Sequence, residues 1–233
     1  MRPADEIVNG SMMSYLAPDD RSFLFGRGIN RELPAGEAIM HQGDPTDHVL
    51  ILLAGWVRVY STTKDGGVVL LALRGPGDVL GDLAALQDWP RTANVETLQR
   101  VRFVQLRAER FISSLHDRPA IAVALLRQMS VRLREAEVAR VDFATLDVAK
   151  RVAAHLMQLA DDHGQHERDS VVIRTPLTQQ DIADRIGASR RAVARALHTL
   201  RERGIVTTGR KLFVVAKPDV LRMFAADSET DYS

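Results

Sequence analysis

Apolar residues recur along this chain in two rhythms. Between about Glu32 and Arg107 they come in short β-prone runs, "EAIMHQGD", "HVLILLAGWVRVYST", "GGVVLLALRGPGD", "TANVETL" and "RVRFVQL", with glycines at the breaks. That spacing predicts a β-barrel or sandwich, with Asp65-Gly66 as a hairpin turn. Helices are predicted before this zone, at "PDDRSFLFGRG", and after it, at "AERFISSLHD". From Pro119 the rhythm lengthens. In "PAIAVALLRQMSVRLREAEVARVDFATL", Ala122, Leu126, Met129, Leu133, Ala136, Arg140 and Phe143 alternate at spacings of four and three, a heptad seam. At ~1.5 Å per residue this helix spans about 40 Å, more than one small barrel covers, so it is predicted to pack against a second copy. The plainer alternative is an amphipathic helix lying on its own domain, and a cation at Arg140 counts against the seam.

The third zone, about Val148 to Ala226, reads as mostly helical with a β-hairpin near its end. "LDVAKRVAAHLMQLADDHG" carries a helical period closed by Gly164. Thr178 with Asp181 forms a capping box for a short helix, Gly187-Ala188-Ser189 turns the chain, and Ser189 caps a second helix to about Arg203. "IVTTGRKLFVV" then supplies two strands around a glycine turn. Helix, turn, helix and wing predict a module that reads double-stranded DNA. Its second helix starts with Arg190, Arg191 and Arg195, with Arg191 and Arg195 on one face and Val193, Ala196, Leu197 and Leu200 on the opposite one. Arginine at the start of such a helix is the commonest reader of guanine in the major groove.

Composition narrows the classes. With 45% hydrophobic and 26% charged residues the chain is globular, and its apolar runs are too short to span a bilayer. The first residues lack the apolar core of a secretory signal, so a cytoplasmic location is expected. There is no cysteine, which excludes disulfides, thiolate zinc sites and cysteine-held iron–sulfur clusters. Net charge is only +1, but the stretch from Arg185 to Lys211 is strongly basic while "DDHGQHERD" upstream is acid-rich. The seven histidines are scattered; only "DDHGQHE" brings histidine near acids, and nothing apolar flanks it, so it reads as a solvated loop and no metal or enzyme site is expected.

The stretch "GDLAALQDWPRTA", residues 81–93, has the makings of an anion cradle. Gly81 lets the backbone approach, a short helical turn offers free N–H groups, and Arg91 with the Thr92 hydroxyl can grip a phosphate. Asp82 would repel free phosphate but accepts a sugar hydroxyl, so a sugar phosphate suits the set better. A structural turn with a surface arginine is the competing reading.

Four segments in this order, "PAGEAIMHQGDPTDHVLILLAGWVRVY", "GDVLGDLAALQDWPRTA", "LDVAKRVAAHLMQLA" and "LTQQDIADRIGASRRAVARALHTLRERGIV", resemble the Crp/Fnr family of bacterial transcription regulators, the cyclic-AMP receptor protein and its relatives. The resemblance covers nearly the whole chain. It implies an α+β protein: an N-terminal cyclic-nucleotide-binding β-roll (residues 1–117), a long dimerisation helix and hinge (118–147) and a C-terminal winged helix-turn-helix (148–233). By that resemblance Gly81, Asp82, Arg91 and Thr92 fall in the phosphate-binding cassette, and Leu83 and Ala84 where its backbone amides are offered. Ala136 and Glu137 stand where members that answer to cyclic AMP have a threonine–serine pair touching the adenine amino group, and Asp82 where the ribose-binding acid is usually glutamate. The sugar-phosphate cradle is kept and the base contact altered, so cyclic AMP is not the expected effector.

The expected DNA-facing set is Thr178, Gln179, Ser189, Arg190, Arg191 and Arg195, with Arg210 and Lys211 on the wing. The family's three base-reading positions, usually arginine, glutamate and arginine, are here Arg190, Arg191 and Arg195. Leu126, Met129, Leu133 and Phe143 are the expected dimer contacts, and 161–169 is the loop that meets RNA polymerase in activating members. The reading is a homodimeric regulator of palindromic promoter sites, modulated by a nucleotide-like ligand. The alternatives are a ligand-independent regulator of the same fold and a nucleotide-binding regulatory subunit of another protein.

Overall fold

The computed structural model describes residues 7–45, 47–174, 176–209 and 212–226. The chain divides into two compact units, Met1–Glu135 and Ala136–Ser233. In the first, a 3₁₀ turn (Met12–Tyr15) and α1 (Pro18–Gly26) precede β1 (Ile29–Leu33), β2 (Ala38–Met40), β3 (His48–Ala54), β4 (Val57–Thr62), β5 (Val68–Arg74) and β6 (Val79–Leu80). A short α2 (Asp82–Gln87) leads to β7 (Asn94–Thr97), β8 (Val101–Arg107), α3 (Ala108–Asp117) and the long α4 (Pro119–Thr145). The strands pair as two antiparallel four-stranded sheets, ordered β1-β8-β3-β6 and β2-β7-β4-β5.

β3 explains why the apolar run 48–54 is continuous rather than alternating. Its side chains point to opposite faces in turn. Val49 and Ile51 enter a core with Met12, Met13, Leu24, Phe111, Ile121 and Leu125, whereas Leu50 and Leu52 enter a second core with Val57, Val95, Val101 and Phe103. A strand buried on both faces has no polar side to show. Each such side chain contributes about 1.5–3 kcal/mol on burial, so β3 is the hub of the unit.

Helix α4 buries Ile121, Ala124, Leu125 and Gln128 and leaves Val123, Leu126 and Leu133 outward, the last two 62% exposed each. Of the expected dimer contacts Leu126, Leu133 and Phe143 are exposed, whereas Met129 packs against the core and Ala122 is half-buried. Polar groups set that phase. Gln128 Oε1 accepts the N–H groups of Met12 (3.0 Å) and Val79 (3.3 Å), which holds this face inward.

The second unit comprises the end of α4, then α5 (Val148–His163), β9 (Gly164–Glu167), β10 (Ser170–Ile173), α6 (Gln179–Ile186), α7 (Arg190–Glu202), β11 (Val206–Gly209), β12 (Leu212–Val215) and α8 (Pro218–Ala226). The expected loop "DDHGQHERD" includes a strand: β9 pairs with β10 and extends the wing into a sheet ordered β11-β12-β10-β9. The apolar Val171–Ile173 of β10 provides the template, and β9 is an exposed edge whose polar residues give no hydropathy signal. The capping box forms, with Thr178 Oγ1 accepting from Asp181 N–H and Asp181 accepting from Thr178 N–H. Gly187 ends α6 at φ +64°, and a Cβ there would press on the Phe143 ring. Ser189 caps α7 by accepting from Ala192 N–H at 3.2 Å. Among the described residues, no helix is long and apolar enough to cross a membrane.

His155 is buried in α5 with Nε2 unpartnered, and burial, aided by the Arg185 charge, lowers its pKa from 6.5 to about 3. Above about pH 6.5 neither state protonates it. As pH falls through that value the unfolded chain binds a proton that the folded unit refuses, so stability drops, by about 2 kcal/mol at pH 5. Chemical denaturation of the wild type from pH 7 to 5 should show this loss, and His155→Leu should flatten it.

Candidate functional site

Gly81 is the pivot of residues 81–93. It adopts φ +78°, capping α2, and an added Cβ would overlap the Arg91 guanidinium and crowd Met40 and the His48 carbonyl. Only glycine leaves that arginine room. Arg91 is 4% exposed; its Nη2 donates to the His48 carbonyl (2.7 Å) and its Nη1 to that of Gly81 (3.4 Å). Burial pulls its pKa below the ordinary value, against the pull of Asp47 and Asp44, yet no carboxylate pairs with it directly among the described residues. A largely buried cation answered only by carbonyls retains affinity for an anion.

Beside it lies a cavity of about 210 Å³ lined by Met40, Val59, Leu71, Arg74, Asp82 and Arg132 among others. Leu83, Ala84 and Thr92 also line it; Leu83 is half-exposed and Thr92 exposed. The expected cradle residues are therefore brought together. Ala136 and Glu137 are exposed on α4 and are not among the lining residues.

Asp82, 3% exposed, is already engaged. Arg132 of α4 spans both its oxygens, Nη1 lying 3.3 Å from Oδ1 and 3.1 Å from Oδ2, and its Nη2 donates to the Val79 carbonyl at 2.5 Å. The same guanidinium stands 3.6 Å from Asp78, whose pKa burial pushes up against the opposing charges of Arg74 and Arg132. Arg74 completes the chain through Glu135 at 3.0 Å. Burial alone would weaken the Arg74 charge, but Asp78 and Glu135 outweigh it, so its pKa lies above the ordinary arginine value. Arg74, Asp78 and Arg132 are absent from the sequence-derived set. Their signal was the polar Gln128, Arg132 and Glu135, spaced four and three apart on the face that carries Ile121 and Leu125.

On α7, Arg190, Arg191 and Arg195 are exposed and carry no ion pair among the described residues, whereas Val193, Ala196, Leu197 and Leu200 are buried. Ser189, Thr178 and Gln179 lie at the starts of α7 and α6, with Thr178 committed to its cap. Arg210 and Lys211 lie outside the described residues. Among the described residues no group of His, Cys, Asp and Glu could hold a metal ion.

Residues 30–118 match the family model of the cyclic nucleotide-binding domain, and residues 150–224 that of the Crp-like helix-turn-helix domain. A CRP-like cAMP-activated global transcriptional regulator of Mycobacterium tuberculosis is 33% identical over 82% of this chain and 85% of its own. The chain belongs to the Crp/Fnr family. It is a DNA-binding transcriptional regulator that carries a cyclic nucleotide-binding domain. The Cyclic AMP receptor protein of Thermus thermophilus is 29% identical over 87% of this chain and 91% of its own. The fold matches that of FixK2 from Bradyrhizobium japonicum at TM-score 0.75 and 22% identity, covering 87% of this chain and 99% of that one.

Within this Crp/Fnr frame Arg132 is the tie between sensor cavity and long helix. Arg132→Met should leave Asp82 buried without its cation and cost about 3–5 kcal/mol. Adding Asp82→Asn should recover part of that loss. Urea unfolding of the single and double variants checks both.

Proposed function

We propose that the chain acts as a homodimer that reads a two-fold-symmetric DNA site through α7, with a cyclic-nucleotide-like anion in the cavity setting its grip. The observation carrying the ligand half is Arg91, a buried cation beside an open cavity with only carbonyl partners among the described residues. A bound phosphate replaces those carbonyls with a charge-assisted, two-pronged contact, and α2 offers the Leu83 and Ala84 amides beside it. The sugar hydroxyl falls to Asp82, which shares its oxygens with Arg132, so occupancy is transmitted to α4.

Cyclic AMP is a poor candidate for the effector. Ala136 offers no side-chain hydrogen bond, and Asp82 is one methylene shorter than the glutamate usual in the family. A second reading, regulation without a ligand, is favoured by how fully the cradle satisfies itself: both Arg91 and Asp82 have partners within the chain. Calorimetry separates the readings. Arg91→Ala should abolish whatever cyclic-nucleotide binding the wild type shows, and unchanged binding in that variant would remove the cradle from the account.

Dimerisation is assigned to the stripe Val123, Leu126 and Leu133, whose apolar side chains face outward along α4. Leu133→Glu would place a charge in that seam and should yield monomers in sedimentation. A stable dimer there would exclude the seam. On DNA, half-sites about 34 Å apart are expected. Arg191 has donors only and cannot accept from cytosine as a glutamate would. Selection from a random DNA pool should therefore recover a preference relaxed or shifted toward guanine at the middle position, with a steeper salt dependence.

A further inference from the structure

We propose that Arg74 makes the cavity select a guanine-type base over adenine. The inference rests on the reading of the cavity as a cyclic-nucleotide site and adds the identity of the base. Connectivity sets the order of groups. Arg91 bonds the carbonyl of Gly81, Asp82 follows in sequence, Arg132 joins Asp82 to the neighbourhood of Asp78, and Arg74 lies beyond in the fields of Asp78 and Glu135. With the phosphate on Arg91 and Asp82 spanned by Arg132, Arg74 is the guanidinium of the same cavity lining that is left for the base.

What the base meets there is a largely apolar wall whose charged groups are three arginines and one carboxylate. Nine of the named lining residues are apolar or alanine (Met40, Val59, Leu71, Ala72, Leu80, Leu83, Ala84, Ala93, Val95), and the charged ones are Arg74, Arg91, Arg132 and Asp82. The single carboxylate is already spanned by Arg132. The 6-amino group of adenine thus finds no free carboxylate in the lining, whereas O6 and N7 of guanine are two adjacent acceptors that match a guanidinium fork.

Arg74 is prepared to supply that fork. Its Nη2 is held by Glu135 at 3.0 Å and its Nη1 by the Leu73 carbonyl at 3.2 Å. These bonds use two of the five N–H donors of a guanidinium. The side chain is positioned, charged and part-exposed at the cavity wall. An arginine needed only to neutralise Asp78 and Glu135 could be a lysine; the planar fork adds a two-pronged fit to O6 and N7 that a lysine meets only as a point charge.

The test is calorimetry of the full-length protein with guanosine, inosine and adenosine 3′,5′-cyclic monophosphates, in the wild type, Arg74→Lys and Arg74→Met. Inosine shares O6 and N7 with guanosine and lacks only the 2-amino group, so it isolates the edge that Arg74 reads. The expected result is guanosine and inosine forms binding alike and roughly 10- to 100-fold tighter than the adenosine form. Arg74→Lys, which keeps the charge beside Glu135 and Asp78 but not the planar fork, should narrow the guanine preference with little change in melting temperature, and Arg74→Met, which has no donor, should bring all three to similar affinity. Equal or tighter binding of the adenosine form by the wild type overturns the assignment, as does a full guanine preference that survives in Arg74→Met. Failure of all three to bind removes the nucleotide-site reading and the base preference together, a result distinct from binding with the wrong preference.

Discussion

One guanidinium fixes the geometry of the sensor unit. Arg132 reaches from α4 to Asp82, to the Val79 carbonyl and to the neighbourhood of Asp78, and so binds the turn 75–82 to the helix. Gln128, one helical turn earlier, grips the Val79 N–H from the same face. These contacts determine which side of α4 is buried, and hence that Val123, Leu126 and Leu133 are left facing outward. They also form one wall of the cavity. Buried charges of this kind cost desolvation and add little net stability over an apolar core, but breaking one partner is expensive. Such an arrangement suits an element whose job is to register occupancy rather than to hold the unit together.

The two arginines beside α2 differ in a way that assigns their roles. Arg132 is answered by carboxylates, whereas Arg91 is answered only by carbonyls among the described residues. The first is an internal strut and the second is left with charge for a ligand. Because Asp82 lies next to Gly81, whose carbonyl meets Arg91, any group that competes for Asp82 acts on the strut as well. Coupling between a ligand and DNA needs such a shared element with differential contacts in its two states. In the proposed reading the regulator's other half supplies the readout, through an exposed arginine face on α7 set by the Thr178 and Ser189 caps and a left-handed turn at Gly187.

The elements were largely legible because their signals are local. The capping box, the αL glycine before Ser189, the alternating faces of α7 and the run 48–54 all depend on residues a few positions apart. The cradle residues Gly81, Asp82, Arg91 and Thr92 could be named, yet their partners could not, since Asp82 meets Arg132 at a separation of 50 residues and Arg74 meets Glu135 at 61. Of the four expected dimer contacts, Leu126, Leu133 and Phe143 are exposed and only Met129 turns inward, for a related reason. Heptad spacing treats Met129 and Leu133 alike, and only the long-range hydrogen bonds of Gln128 turn Met129 toward the core. β9 was read as a loop because an exposed edge strand carries no hydropathy pattern.

The central claim is that cavity and long helix form one energetic element through Asp82 and Arg132. Amide hydrogen exchange along α4, with and without saturating guanosine 3′,5′-cyclic monophosphate, tests it most directly. The account predicts that exchange of residues 128–135 changes by roughly tenfold or more on binding, corresponding to at least about 1.4 kcal/mol of local stability. Ligand-induced protection confined to α2 and the Arg91 segment, with α4 unaltered, would contradict it.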